Sequence, residues 1–350
     1  MPLPLSLDTA TMAARFLVPR HIQDHNEANT TLEPHWGYSS RVLPCTKDQG
    51  TCEYLDAVYN MHDTSMDYTF ILWGVLLGIA VVWLFVRGWR LDYADGRTSD
   101  GLLEGAWTGL VRIRRRWLSV NVQSRLGRWL FGRTSRLQVL ILTVLLAYLL
   151  VFSLIGITYR TWVTPIKGST LHNTRTGLGG FSDRIGALAY ALTPFTVLLS
   201  MRESVLSLIT GIPYQHFNFL HRWTGRIIFV QAVLHTLGWT IVEAKLYQPQ
   251  PSVYKEFISQ QYMIFGVVAM FIITLMLVLS TKTAIRWFGY EAFKIGHWCL
   301  AVLYLGACWG HWDRLWCWMV ASLALVVLDQ AMRWGRVVIL HYDGGKGRGE

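Results

Sequence analysis

Four histidines form two equally spaced pairs in this sequence. His221 and His235 begin and end the stretch HRWTGRIIFVQAVLH, and His297 and His311 begin and end HWCLAVLYLGACWGH. The residues between them are mostly apolar. Ionisable side chains in such segments are costly and usually functional, and imidazole is the commonest protein ligand for metals. The repeated interval of fourteen residues therefore indicates a ligand set rather than a coincidence.

The interval has a direct meaning on a helix. Fourteen residues rise about 21 Å, and the second histidine returns to within about 40° of the first. One face of each helix would then present two imidazoles at two depths, and two facing helices would form two stacked bis-imidazole sites. Two ligands at each depth are too few for a structural zinc site, and carboxylates and thiolates are missing from these faces. Haem suits the pattern, because its iron requires only axial nitrogens.

Glycines on the same faces could make room for a flat ring. Gly225 follows His221 by four residues, and Gly238 follows His235 by three. Ordinary close packing between helices is the alternative role for both glycines. A haem with two axial histidines has no vacant position, so we expect it to carry electrons rather than to bind a substrate. Two such haems at different depths predict a path for electrons across a membrane.

The composition requires membrane helices to position these histidines. The chain is 52% hydrophobic and only 15% charged, whereas soluble domains carry about 25% charged residues. Runs of nearly 20 apolar residues, the length that spans a bilayer, recur along the chain. We predict an all-α polytopic bundle of about seven transmembrane helices with a bis-haem core. The predicted spans are approximately 68–86, 137–157, 185–201, 217–242, 262–279, 290–310 and 315–332, with Pro194 interrupting the third.

Basic residues predict the orientation of the bundle. Arginines are dense after the first span, which is typical of a cytoplasmic loop; they are Arg87, Arg90, Arg97, Arg112, Arg114, Arg115, Arg116, Arg125, Arg128, Arg133 and Arg136. The same rule accounts for the net charge of +10, so a nucleic-acid partner is not needed to explain it. Residues 1–67 would then lie outside the cell, and the C-terminus would be cytoplasmic. His221 and His297 would lie toward the cytoplasm, and His235 and His311 toward the exterior.

The N-terminal segment has features of an external region. It contains the sequon Asn29-Thr30-Thr31, which predicts N-glycosylation at Asn29. Cys45 and Cys52 are close in sequence and suit a disulfide in an oxidising compartment. The N-terminal residues lack the basic start and the long apolar core of a cleaved secretory signal. We therefore expect the first span to serve as the anchor.

The histidine-bearing stretches resemble a known family. The segments GIPYQHFNFLHRWTGRIIFVQAVLHTLGW and YEAFKIGHWCLAVLYLGACWGHW are similar to the haem-bearing helices of fungal ferric and cupric metalloreductases. These proteins belong with the NADPH oxidases to the ferric-reductase-like transmembrane superfamily. The resemblance covers about residues 137–335, preceded by one extra N-terminal span.

The resemblance implies a ligand assignment and a reaction. His221 and His297 would hold the iron of an inner haem b, and His235 and His311 that of an outer haem b. Electrons would pass from NADPH through FAD and both haems to external ferric or cupric ions at the plasma membrane. We assign Arg222 and Arg226 as candidate partners of the inner haem propionates and Arg314 as a candidate partner of the outer ones, because arginine pairs well with carboxylates. Anchoring at the membrane interface is their alternative role.

The sequence departs from the family after the last span. Family members continue into flavin- and nucleotide-binding domains, whereas DGGKGRGE is not a phosphate loop. We expect residues 68–136 to form the first span and the Arg-rich loop, 137–335 a six-helix haem domain, and 336–350 a cytoplasmic tail. The segment GRVVILHYD could form the opening strand of a flavin domain. FAD and NADPH would therefore bind a further domain, and the chain is either cut short or a haem subunit served by another reductase.

Other functions fit part of the pattern. Within the same superfamily, oxygen could replace the metal ion as acceptor and yield superoxide. Respiratory cytochrome b also carries two histidine pairs at this spacing, but its quinol site has a Pro-Glu-Trp-Tyr motif that this sequence lacks. A haem-stabilised scaffold without enzymatic activity is the third alternative.

Overall fold

The computed structural model describes residues 31–94, 105, 109, 112–202 and 205–346. Helices predominate among these residues, which confirms the predicted all-α polytopic bundle. In chain order the elements are β1 (Thr31–Glu33), β2 (Arg41–Leu43), α1 (Gln49–Ala94), a π-helical turn (Arg114–Leu118), α2 (Arg125–Phe131), α3 (Arg136–Leu154), β3 (Thr161–Pro165), β4 (His172–Thr176), α4 (Leu178–Ser200), α5 (Val205–Thr210), α6 (Tyr214–Ile241), a second π-helical turn (Val242–Leu246), α7 (Ser252–Ser259), α8 (Gln261–Leu279), α9 (Lys282–Phe288), α10 (Tyr290–His311), a 3-10 turn (Asp313–Leu315) and α11 (Trp316–Lys346).

Six helices within the described residues are long and apolar enough to cross a membrane, so the chain is an integral membrane protein. Their spans are Gln49–Val86, Arg136–Leu154, Tyr214–Leu246, Gln261–Leu279, Tyr290–His311 and Asp313–Ile339. Six of the seven predicted spans therefore fall on these helices.

The remaining predicted span, 185–201, forms helix α4 but is not among the six apolar helices. Its polar residues lower the hydropathy of the segment, and several of them are buried inside the protein. Ser182 and Arg184 are both fully buried. Pro194 lies within the helix without ending it. This helix thus differs from the six apolar helices in that its polar side chains are buried in contact with protein.

Two boundaries differ from the sequence prediction. Helix α1 begins at Gln49, well before the predicted start of the first span at Tyr68. Its early residues are polar enough to escape a hydropathy scan, yet Tyr54 and Met61 are buried. At the other end, GRVVILHYD is helical because α11 continues to Lys346. The prediction of a strand there was wrong; a short apolar run cannot by itself distinguish a strand from a helix.

The chain divides into two compact units, and several helices contribute residues to both. The first contains the described residues up to Asp63, Thr158–Ser182 and His235–Trp316. It includes the antiparallel pairs β1–β2 and β3–β4, and helices α8 and α10 pack closely along each other. The second contains Thr64–Ile157, Asp183–Leu234 and the residues from Cys317 onward. Its core includes the cluster Leu142, Leu199, Phe219 and Leu220.

Local sequence signals explain where the shorter elements begin and end. Ser135 caps α3 in a reciprocal box with Gln138, and Thr281 caps α9 through the backbone N–H of Ala284. Gly289 separates α9 from α10 with a φ of 84°. A residue with a side chain rarely adopts that conformation. This glycine therefore permits the chain to reverse into the helix that carries His297 and His311.

Candidate functional site

The four histidines lie on the two helices that the sequence predicted. Helix α6 carries His221 and His235, and α10 carries His297 and His311. All four side chains are partly buried. Both helices are continuous across the fourteen-residue interval, so each pair is fixed at two levels along one helix.

His235 and His311 are brought together in the first unit. Their ring centroids are 6.0 Å apart, and the ring planes are nearly perpendicular, at 83°. An imidazole nitrogen lies about 2 Å from a bound metal and about 1.1 Å from the centre of its own ring, so two imidazoles on opposite sides of one ion have centres about 6 Å apart. The spacing of this pair therefore fits bis-imidazole ligation of a single iron.

Backbone carbonyls orient three of the four imidazoles. The Nδ1 atom of His221 lies 2.9 Å from the carbonyl oxygen of Thr196. That of His235 lies 2.8 Å from Ser182 O, and that of His311 lies 2.8 Å from Tyr262 O. A carbonyl oxygen can only accept, so Nδ1 carries the proton in each ring. In the neutral imidazole the lone pair is then on Nε2, the atom that would coordinate a metal.

The fourth imidazole has the same tautomer for a different reason. Ser280 Oγ lies 3.4 Å from Nδ1 of His297. The Ser280 hydroxyl donates its only proton to the carbonyl of Met276 over 2.6 Å. Its oxygen must therefore accept from the Nδ1–H of His297. Ligating histidines usually make such a second bond through the nitrogen that does not bind the metal.

The two glycines of the predicted ring slot behave differently. A Cβ added to Gly225 would meet nothing within 4 Å, so this position leaves open space beside α6. A Cβ added to Gly238 would overlap the Ser182 hydroxyl. Gly238 thus serves close packing of α6 against α4, which is the second of the two roles considered for it. The carbonyl of the same serine accepts from His235, which explains why the helices approach so closely here.

The predicted arginines lie at the surface. Arg222, Arg226 and Arg314 are exposed, and the guanidinium of Arg226 lies over the Trp223 ring at 4.7 Å. Stacking of a cation on an indole ring is typical of a side chain at the membrane interface. No contact within the described residues links these arginines to a carboxylate, and their pairing with haem propionates stays a prediction.

The donor set favours haem over a metal held by protein alone. No group of three or more His, Cys, Asp or Glu side chains in the described parts of the chain could hold a metal ion. Haem iron needs only two protein ligands, because the macrocycle supplies the others. The residues present therefore fit haem.

The cysteines and the predicted glycosylation site are the remaining features of interest. The sulfur atoms of Cys45 and Cys52 are joined in a disulfide, with Cα atoms 5.8 Å apart. Asn29, the predicted glycosylation site, lies outside the described residues. Cys308 is buried, in keeping with a thiol that acts as a small apolar side chain.

Several contributors to the site had no signal in the sequence. Thr196, Ser182 and Tyr262 act through backbone carbonyls, which every residue type possesses. Gly266 approaches His311 so closely that an added Cβ would lie 2.7 Å from Nδ1. A glycine inside an apolar segment indicates close packing in general, but it does not indicate the side chain that packs against it.

Comparison with known proteins relates the histidine-bearing part of the chain to a family. Residues 185–308 match the family model described as "Ferric reductase like transmembrane component". This region is similar to ferric-reductase-like transmembrane components. The match includes His221, His235 and His297 and ends three residues before His311, and it confirms the resemblance to fungal metalloreductases.

Curated relatives of the ferric-reductase-like region come from fungi. "Ferric reductase transmembrane component 3" of Saccharomyces cerevisiae is 33% identical over 161 residues, covering 45% of this chain and 21% of that protein. "Ferric/cupric reductase transmembrane component 2" of the same yeast is 30% identical over 154 residues, covering 43% and 21%. "Ferric reductase transmembrane component 5" is 28% identical over 276 residues, covering 77% and 37%. The chain thus spans about a fifth of the length of the relatives that match it first.

Proposed function

We propose that this chain forms the transmembrane electron-transfer part of a metalloreductase oxidoreductase, which delivers electrons from a cytoplasmic flavin and NADPH module to external ferric or cupric ions. One observation carries the proposal. All four histidines of the two pairs hold Nδ1 in a hydrogen bond that leaves Nε2 as the ligating atom. His235 and His311 add a ring separation of 6.0 Å, which fits two imidazoles on one iron.

The residues divide into two levels. His235 and His311 would hold the outer haem b, and His221 and His297 the inner one, as the family resemblance implies. When bound, the haems supply one-electron carriers with no open coordination position. The protein contributes the orientation of each imidazole, because each Nδ1–H is tied to an acceptor on a neighbouring helix or, for His297, at the end of one. Arg222, Arg226 and Arg314 stay candidates for neutralising the propionates.

The proposed setting is the plasma membrane, with the N-terminal segment outside and the C-terminus in the cytoplasm. Asn29 and the Cys45–Cys52 disulfide would then face the oxidising side. The names of the yeast relatives include both ferric and ferric/cupric reductases, and these ions are the substrates we propose here. The flavin and NADPH module would be a separate domain or partner on the cytoplasmic face.

The decisive experiment measures haem content and vectorial electron transfer together. Purified protein should give about two b-type haems per chain by pyridine haemochrome analysis. In proteoliposomes, reductant added on the cytoplasmic face should reduce both haems, and an impermeant ferric chelate on the other face should reoxidise them. A cupric chelate and a superoxide probe in parallel would identify the acceptor.

The control is a protein with both outer ligands replaced, His235→Ala with His311→Ala. It should lose reoxidation by the external chelate while its remaining haem is still reduced from the cytoplasmic side. Folded wild-type protein with one haem or none would overturn the proposal. So would electron transfer at the wild-type rate in the double variant.

A further inference from the structure

Helices α8 and α10 meet through two glycines that each accept a side chain from the other helix. A Cβ at Gly266 of α8 would lie 2.7 Å from Nδ1 and 2.8 Å from Cε1 of His311. A Cβ at Gly310 of α10 would lie 2.7 to 2.9 Å from three ring carbons of Phe265. Real Cβ atoms essentially never approach so closely, so both positions require glycine in this packing. We call this contact the interlock: His311 packs on Gly266, and Phe265 packs on Gly310.

The interlock lies at the imidazole of His311. The Nδ1 atom of His311 donates to Tyr262 O over 2.8 Å, one helical turn before Gly266. The Tyr262 ring also stacks on the imidazole, with centroids 6.4 Å apart and planes at 26°. The ring is therefore held on one side by the backbone of α8, through both a hydrogen bond and direct contact. Rotation of the imidazole would break the bond and drive the ring into the backbone near Gly266.

Glycine has a related role beside the partner histidine. Gly238 lies one turn after His235 and admits the Ser182 side chain, and the Ser182 carbonyl accepts from His235 Nδ1. By contrast, a Cβ at Gly296, next to His297, would meet nothing within 4 Å. The acceptor of His297 is a serine side chain at 3.4 Å rather than a backbone carbonyl. A glycine in close contact therefore lies beside His235 and His311, whereas the glycine next to His297 makes no such contact.

We propose that Gly266, Gly310 and Gly238 are positioning residues, which fix the imidazole planes of His311 and His235 in the near-perpendicular arrangement. The inference rests on the proposed function, because it assigns a task to these residues in holding the outer haem. The angle between axial imidazole planes governs the low-spin ferric electron paramagnetic resonance spectrum, and perpendicular planes give a more anisotropic signal than parallel planes. The glycines should therefore affect the spectrum of one haem and not of the other.

The test compares Gly266→Ala with Gly306→Ala. Both are glycine-to-alanine changes in the same helix pair, but a Cβ at Gly306 would meet nothing within 4 Å. Gly266→Ala should shift or remove the low-spin signal of the outer haem and lower outer-haem affinity by about 10–100-fold, as the loss of a ligand-orienting contact does. The other haem signal should be unchanged. Gly306→Ala should have the wild-type spectrum.

A rescue experiment separates positioning from a general folding defect. Gly310→Ala alone should perturb the same signal, because the added methyl group displaces Phe265 and with it the helix contact. Phe265→Ala combined with Gly310→Ala removes the overlap and should restore the signal. Rescue by the double variant would support the inference even if Gly266→Ala does not accumulate in membranes.

The outcomes distinguish this inference from the proposed function. Wild-type protein without two haems would overturn the proposed function before any variant is compared. Wild-type protein with two haems, together with a Gly266→Ala protein that keeps both spectra and both affinities, would overturn the positioning role alone. Equal perturbation by Gly306→Ala, or no rescue by the double variant, would also overturn it.

Discussion

The imidazole rings of His235 and His311 lie 6.0 Å apart and are nearly perpendicular. They come from two different helices, and each is tied through Nδ1 to the carbonyl of a further helical segment, at Ser182 and Tyr262. Neither ring can turn without losing its hydrogen bond. The pair is thus held by the surrounding backbone at the spacing that one metal ion with two imidazole ligands requires.

We expect His311→Ala to remove the outer haem and leave the inner one. Haem content should fall by about half, because a single remaining imidazole does not retain a six-coordinate haem. Pyridine haemochrome analysis and reduced-minus-oxidised spectra provide the measurement. His341→Ala is the matched control, since His341 also bonds a backbone carbonyl through Nδ1 but is exposed near the end of α11. Unchanged haem content in His311→Ala would contradict the ligand assignment.

Ser280→Ala should raise the midpoint potential of the inner haem. The Ser280 oxygen accepts from His297 Nδ1, and such a bond increases the basicity of the ligating imidazole. Its loss weakens the stabilisation of ferric iron, so reduction becomes easier. Thr274→Ala is the control on α8, the helix that Ser280 follows, because the Thr274 hydroxyl makes an equivalent bond to Met270 O and has no histidine partner among the described residues. A potentiometric titration measures both midpoint potentials. If Ser280→Ala shifts the potential of the outer haem and not of the inner one, the assignment of His297 to the inner haem is wrong.

Arg184→Met should destabilise the second unit. Arg184 is fully buried; it donates to Ser65 Oγ over 3.0 Å and to the carbonyl of Ile155, and it lies over the Tyr68 ring. Removing the guanidinium breaks its bonds to the buried Ser65 hydroxyl and the partly buried Ile155 carbonyl, and a buried group that loses its partner costs about 1–3 kcal/mol. Thermal unfolding in detergent should show a lower Tm, and Arg184→Lys should recover part of the loss. Arg286→Met, at an exposed position, should leave Tm unchanged.

Asp48 should make the start of α1 sensitive to acid. Partial burial acts to raise the pKa of its carboxyl group, but hydrogen bonds from the side chain and backbone N–H of Thr51 outweigh that effect and lower the pKa below its usual 3.8. A lowered pKa in the folded protein means that the ionised carboxylate adds stability above pH 3.8, and that this contribution is lost as the pH falls through the folded value.

The comparison of wild type with Asp48→Asn tests this prediction. Asparagine can still cap the helix but does not ionise. Wild type should have the higher Tm near neutral pH, and the difference should be constant down to about pH 5 and shrink below the usual pKa. A difference that does not change with pH would show that the charge of Asp48 contributes nothing.

The sequence by itself determined the membrane class, the two histidine-bearing helices and the family resemblance. These depend on local properties: a run of apolar residues, an interval of fourteen along one helix, and motifs such as HRWTGR around His221. A helix has a fixed rise and turn per residue. The spacing of His221 and His235 along α6 therefore follows from their numbers alone.

Only the tertiary structure decided what surrounds each of the four histidines. The acceptors at Ser182, Thr196 and Tyr262 are backbone carbonyls, which carry no side-chain signature, and Gly238 packs against Ser182 where the sequence suggested a ring slot. Helix α4 was predicted as a membrane span, but it is less apolar than the six helices that could cross a membrane, and several of its polar residues are buried. Contacts between residues far apart in the chain depend on how helices meet, and hydrophobic periodicity specifies which face is apolar without specifying its partner.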